Sequence, residues 1–339
     1  MRDLKKELTL IVSRTPVRLS FFGGGTDYKE YYRRKGGAVL GTTIDKYVYV
    51  SISRISPFFE YRIRVGYSKA ELVNSVDDII HPSVRECLRF KKIDGNLDIH
   101  IFADLPAKTG LGSSSAFTVG FLNALYALDG KVVSKQQLAE EAIFIEQEMI
   151  KENVGSQDQV HAAFGGMNVI RFSSSDIQVN PLIIDTEKRK LFERSIMVFF
   201  TGMTRHAHEV VKEQLEKTVS TSNDEYLREM HKMVDEAVQI YSDSSSEKFL
   251  KELGELMNKG WQLKKNLSSK ITNSLIDEAY LKALNAGAYG GKLSGAGGGG
   301  FLTLLVHPDN QQKVRAALSD LLEVNLKLDN VGSSIIYIK

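Results

Sequence analysis

The chain runs to 339 residues, 42% of them hydrophobic and 25% charged, with a formal net charge of +2, which gives length for two domains in an ordinary globular composition. That near-neutral balance argues against a dedicated nucleic-acid-binding surface, and the single cysteine, Cys87, excludes an internal disulfide framework and reads as core filler. The opening MRDLKKELTLIV mixes acids with its bases and is cut short by SRTP, so it does not read as a signal peptide. No run of about 18 unbroken apolar residues occurs, and a cytoplasmic protein without a membrane partner is expected.

In chain order, β-branched and aromatic runs predict strands at YVYVSI from Tyr47, YRIRV from Tyr61, LDIHIF from Leu97, MNVIRF from Met167, IMVFF from Ile196, FLTLLV from Phe301 and SIIYI from Ser334. Helical spacing governs Leu227, Met230, Val234, Ala237, Val238 and Tyr241, then Phe249, Leu253, Leu256, Met257 and Trp261, then Ile276, Ala279, Tyr280 and Ala283. Between the first two of these helices SDSSSE reads as a polar turn. The order is irregular, which favours α+β over a doubly wound parallel sheet. NPLIIDTEKRK breaks the pattern with proline and charge, so the domains are expected at residues 1–190 and 191–339.

The stretch PAKTGLGSSSAF, residues 106–117, stands where a strand gives way to a helix. Pro106 stops the strand, Gly110 and Gly112 allow unusual backbone angles, and Ser113, Ser114 and Ser115 fall at the helix mouth. Free N–H groups there, with the positive end of the helix dipole behind them, suit an anion such as a phosphate, and the hydroxyls add donors or a metal ligand. The plainer alternative is that Ser113 caps the helix. The loop lacks the lysine of GxxxxGK[ST], so it is not the P-loop of the common nucleotide hydrolases.

PAKTGLGSSSA resembles the second motif of the GHMP kinases, the superfamily of galactokinase, homoserine kinase and mevalonate kinase. RTPVRLSFFGGGTDY, from Arg14 to Tyr28, is similar to the family's first motif, and KLSGAGGGGF, from Lys292 to Phe301, to its third. The three span most of the chain in family order. The resemblance implies an N-terminal domain of the ribosomal-protein-S5 type, a ferredoxin-like C-terminal domain, an active site between them, and ATP with Mg²⁺ as cofactors.

It also implies roles for particular residues. The cradle for ATP would be Lys108, Gly110, Leu111, Gly112, Ser113, Ser114 and Ser115, with Gly297 from the third motif. ENVGSQDQVHAAFGG matches the family's G-x-x-D-Q element and makes Asp158 the base that takes the hydroxyl proton. Glu146 and the Ser114 hydroxyl are the expected Mg²⁺ ligands, with Glu148 as the alternative carboxylate. Arg14 corresponds to the arginine beside the base. Gly24, Gly25, Thr26 and Asp27, with Gly295 and Arg205, would bind substrate. FGGGTDY, GSQDQ and TGMTR resemble the subgroup acting on the anomeric carbon of sugars, which includes the D-glycero-D-manno-heptose 7-phosphate kinases and the fucose kinases. A sugar phosphate is therefore the expected substrate. Other small-molecule kinases of the family, or a non-catalytic sugar sensor, are the alternatives.

Overall fold

The computed structural model describes residues 10–56, 58–107, 109–202 and 207–339. β1 (Leu10–Phe22) and β2 (Gly37–Arg54) form a long antiparallel pair joined through a glycine turn and the short helix α1 (Lys29–Lys35). β2 begins well before the run at Tyr47 that predicts it. Its early half is masked in sequence by Gly37 and Gly41, where a Cβ would stand 2.1 Å from the Thr26 carbonyl and 2.7 Å from His161 respectively. Close backbone approach requires glycine there, at the expense of the β-branched signature.

The chain continues through β3 (Ile63–Gly66), β4 (Ala70–Val73), α2 (Pro82–Phe90), β5 (Leu97–Ala103), α3 (Ser113–Leu128), α4 (Lys135–Phe144), α5 (Gln157–Phe164), β6 (Met167–Phe172) and β7 (Ile177–Pro181). Then come α6 (Thr186–Ser195), β8 (Ile196–Phe200), α7 (Ala207–Val219), α8 (Asp224–Asp243), α9 (Ser246–Lys265) and α10 (Ser274–Asn285). β9 (Ala288–Leu293), β10 (Phe301–Val306), α11 (Gln311–Ala317), β11 (Leu322–Glu323), β12 (Leu328–Asp329) and β13 (Ser334–Ile338) complete it.

The first sheet has the order β13-β1-β2-β5-β3-β4, with β6 and β12 also on β2 and β7 beside β6; the second is β11-β8-β10-β9. α3 lies against β1 and β2 with α4 and α5 beside it, and its residues Phe117, Val119, Phe121, Leu122 and Leu125 are buried among them. In the second half, α8 buries Leu227, Met230, Val234, Ala237 and Tyr241 on one face, and α9 buries Phe249, Leu253, Met257 and Trp261, as their helical spacing requires. α9 packs on β9 while α8 reaches back to β1 and β2, so the two sheets share a wall of helices.

Two local features differ from the sequence reading. TEKRK does not interrupt structure: Asp185 caps α6 by accepting from the N–H groups of Glu187 (2.9 Å) and Lys188 (3.2 Å), and Phe192 anchors the helix in the core. Residues 328–338, assigned by sequence to the second domain, pair instead into the first sheet, with Ile11 opposite Ile338 and Leu328 opposite Ile44. β1 otherwise offers a row of unpaired N–H and C=O groups along that edge, and β13 supplies their partners.

Candidate active site

α3 starts at Ser113, and its N-cap is Gly112 in the left-handed conformation with φ 76° and no side-chain cap. The capping reading of Ser113 therefore gives way. Ser113 is the first helical residue, and the first-turn N–H groups point out of the helix end with the dipole behind them. The loop is fixed from below. Arg18 N–H donates to the Leu111 carbonyl at 3.0 Å, and Leu111 itself is buried.

The same arginine organises the corner around Asp158. Asp158, in the first turn of α5, accepts at Oδ1 from Arg18 Nε (2.8 Å) and Nη2 (2.5 Å), while Arg18 Nη1 donates to the Gly110 carbonyl (2.7 Å). One guanidinium thus ties the carboxylate to the serine loop. Gly112 faces Asp158 so closely that a Cβ there would lie 3.0 Å from Oδ2. Arg14, expected beside the carboxylate, is not there: its guanidinium stacks 4.6 Å from the centre of the Tyr47 ring. It sits four residues earlier on β1, about 13 Å along the strand at ~3.3 Å per residue. Arg18 takes the place sequence gave to Arg14.

Asp27 is buried and accepts from Gly25 N–H (2.9 Å), Gln157 Nε2 (2.9 Å) and Gln157 N–H (3.3 Å). Burial lifts its pKa above the ordinary carboxylate value, the Gly25 hydrogen bond opposes this, and the nearby Asp158 charge adds to it. Asp27 and Asp158 therefore lie close enough for their charges to interact. Thr26 is spent on the turn itself: its hydroxyl donates to the Gly23 and Ala38 carbonyls, both at 2.8 Å, and its side chain is buried. It braces the loop and does not present a group to a ligand. Gly25 packs against Gln214 and Leu227, whereas Gly24 lies beside the Ser20 hydroxyl, the Lys292 amine and the Gln157 amide.

Glu146 is fully buried in a π-helical turn, Ile145–Met149, that continues α4. Its Oε2 accepts from Ser115 Oγ (2.8 Å) and Gln159 Nε2 (2.5 Å). Burial pushes its pKa up to about 7 against the pull of the Thr118 and Ser115 hydroxyls. Ser115, not Ser114, is thus the serine against Glu146, and Ser114 stands exposed at the loop mouth. Glu148 points away and pairs with Lys29 at 2.8 Å. Glu146 Oε1 has no hydrogen bond of good geometry within the protein, and a hard divalent cation seeks such an oxygen donor. Among the described residues no cluster of three or more His, Cys, Asp or Glu forms a ready metal cage. A cation at this place would complete its shell with hydroxyls, water and substrate phosphates.

The third motif closes over the second. A Cβ at Gly295 (φ 73°) would stand 2.4 Å from Gly110 Cα, and one at Gly300 2.3 Å from the Thr109 carbonyl. Gly295 thus lies against the loop that precedes α3, and Gly297 against the Ile271 backbone. Lys264, on α9, holds this turn: its amine donates to the carbonyls of Leu293 (3.1 Å) and Gly295 (2.5 Å). Lys292, on β9, is also buried and reaches the Phe21 carbonyl at 3.4 Å. Burial, helped by Arg18 and opposed by Asp27, pushes the Lys292 pKa down to about 7. Lys108 and Arg205 lie outside the described residues. Sequence reasoning missed Arg18, Gln157, Lys264 and Lys292, although Arg18, Gln157 and Lys292 fall inside the quoted motifs.

A carboxylate held by a guanidinium, an open helix N-terminus and buried amines together suit transfer of a phosphoryl group to a hydroxyl. Comparison with known proteins agrees. Residues 79–166 match the family model for the GHMP kinases N terminal domain, and residues 243–324 that for GHMP kinases C terminal. The chain is 28% identical to the D-glycero-alpha-D-manno-heptose 7-phosphate kinase of Campylobacter jejuni, covering 91% of this chain and 93% of that one. It is 25% identical to the galactokinase of Pyrococcus furiosus, covering 92% and 93%. A solved D-glycero-D-manno-heptose 1-phosphate kinase from Bacteroides thetaiotaomicron superposes with a TM-score of 0.71 at 25% identity, covering 97% of this chain and 99% of that one. With both domain models matched in order and the fold shared along nearly its whole length, the chain belongs to the GHMP kinases, ATP-dependent phosphotransferases with the two-domain α+β fold.

Proposed function

We propose that the protein phosphorylates the anomeric C1 hydroxyl of D-glycero-D-manno-heptose 7-phosphate with ATP, giving the 1,7-bisphosphate used for nucleotide-activated heptose and cell-surface polysaccharide in the cytoplasm. The observation that carries the chemistry is the Arg18–Asp158 pair at the mouth of α3. The substrate rests on likeness to the Campylobacter jejuni enzyme over most of both chains.

The first-turn N–H groups of α3 and the hydroxyls of Ser113 and Ser114 receive the ATP phosphates. Glu146 and Ser114 would hold Mg²⁺, which supplies charge neutralisation on those phosphates when bound. Asp158 Oδ1 is engaged by Arg18, which leaves the carboxylate's remaining acceptor capacity for the C1 hydroxyl proton. As that proton moves to Asp158, the sugar oxygen bonds to the γ-phosphorus, the γ-phosphorus–oxygen bond to ADP breaks, and ADP departs. Arg18 bears on the negative charge that develops. A hemiacetal hydroxyl ionises more readily than an ordinary alcohol, so a carboxylate is an adequate acceptor.

The product's ring can no longer open. With heptose 7-phosphate as substrate, reducing-sugar equivalents should disappear one for one with ATP, and the 1-deoxy analogue should bind without being phosphorylated. ADP formation while the reducing end survives would point to an ordinary alcohol as acceptor and overturn the anomeric assignment.

A further inference from the structure

At one point beside Gly24 three side-chain polar groups converge. A Cβ placed there would lie 3.6 Å from Ser20 Oγ, 3.7 Å from Lys292 Nζ and 3.9 Å from Gln157 Nε2. Gln157 Nε2 is in turn bonded to Asp27 Oδ2 at 2.9 Å, which makes the group continuous with the buried carboxylate. Its hydrogen-bonding capacity is only partly used. Ser20 Oγ and Gln157 Oε1 are buried without a partner, and the Lys292 amine makes a single long contact, 3.4 Å, with the Phe21 carbonyl. Buried polar groups left in this state are costly unless something completes them. Donors and acceptors mixed in one place suit the hydroxyls of a sugar, which both donate and accept.

We propose that Lys292 is the cationic anchor of the acceptor sugar, acting with Ser20 and Gln157 to grip its hydroxyls at Gly24 while Asp27 holds the adjoining one. This deepens the sugar-kinase reading and rests on it. Lys292 comes from the second half of the chain and Gly24, Ser20 and Asp27 from the first, so the sugar is clasped by both. The charged groups around the amine are Arg18 and Lys264, which repel its proton, and Asp27, which attracts it. The amine is therefore part-deprotonated near neutrality, and oxygen-rich ligand favours its protonated form. Proton uptake on binding is the expected consequence.

Lys292→Met retains the length of the stem and replaces the amine by an apolar group, which a buried site tolerates. The test compares wild type and Lys292→Met with D-glycero-D-manno-heptose 7-phosphate, L-fucose and D-galactose, using the sugar that wild type phosphorylates best. The KM for that sugar should rise at least tenfold, the KM for ATP should change less than threefold, and the melting temperature should hold or rise. Calorimetry at pH 8 in buffers of different ionisation enthalpy should register proton uptake on sugar binding to wild type and its loss in the variant. An unchanged sugar KM, equal rises in both KM values, or a fall in melting temperature would assign Lys292 to bracing the two halves and overturn the proposal. Wild type inactive on all three sugars would overturn the sugar-kinase reading itself, and the proposal with it.

Discussion

Replacing Arg18 by Met separates the two arginines of β1. The change retains the stem of the side chain but removes three hydrogen bonds: 2.8 and 2.5 Å to Asp158 Oδ1, and 2.7 Å to the Gly110 carbonyl. Removing one member of a fully buried ion pair costs about 3–5 kcal/mol, mostly from the stranded partner. Asp158 retains 24% of its side-chain exposure, and water can re-solvate it, which brings the expected loss nearer to ~2 kcal/mol. The effect on rate is separate: loss of a preorganised charge beside the reacting group lowers kcat by roughly 10²–10³. Arg14→Met is the control. It gives up the contact over Tyr47, about 0.5–1 kcal/mol, and kcat should stay within twofold of wild type. ADP release in a coupled assay, with denaturant unfolding of each variant, measures both quantities. If Arg14→Met loses as much kcat as Arg18→Met, or Arg18→Met retains normal turnover, the guanidinium beside Asp158 is only structural.

Asp158→Asn removes proton acceptance while keeping shape, so turnover should fall roughly 10²–10⁴-fold with ATP still bound by equilibrium measurement. Ser114→Ala should raise the Mg²⁺ and ATP requirement with little change in melting, whereas Ser115→Ala, which withdraws the hydroxyl from buried Glu146, should lower stability by about 1–2 kcal/mol; the reverse pattern would return the metal-side role to Ser115. His161 is buried and its pKa is pushed down by burial to about 3. The unfolded chain therefore takes up a proton below about pH 6.5 that the folded chain refuses. The stability this secures is full above pH 6.5 and is lost as pH falls towards 3. Relative to His161→Leu, wild type should lose about 1.4 kcal/mol per pH unit within that window, and parallel pH profiles of unfolding would contradict it.

Much of the site was legible because it is built from backbone. Glycine-rich loops announce themselves where a side chain would collide, as at Gly112, Gly295 and Gly300, and the motif carrying Asp158 lies within a short continuous stretch. The side chains that converge from separate elements were less legible. Arg14 and Arg18 share one strand, and only the approach of α5 and the serine loop decides which of them meets Asp158. Lys264, near the end of α9, is buried by contact with the glycine turn, which periodicity along one helix does not foretell. The π-helical turn fixes Glu146 inward and Glu148 outward. The return of β12 and β13 to the first sheet was equally hidden, because period-2 patterning identifies a strand without naming its partner.

Synthesis proceeds from β1 towards β13, so the partner of the outer edge of β1 emerges only when nearly all the described chain has been made. At ~5–20 residues per second, that edge waits for tens of seconds. Its Leu10 and Lys339 backbones finally exchange hydrogen bonds of 3.0 and 3.1 Å. Until then the nascent first half carries an open β-edge of the kind that recruits other chains. The first sheet therefore closes its β1 edge late in synthesis, with a five-residue strand from the last stretch of the described residues.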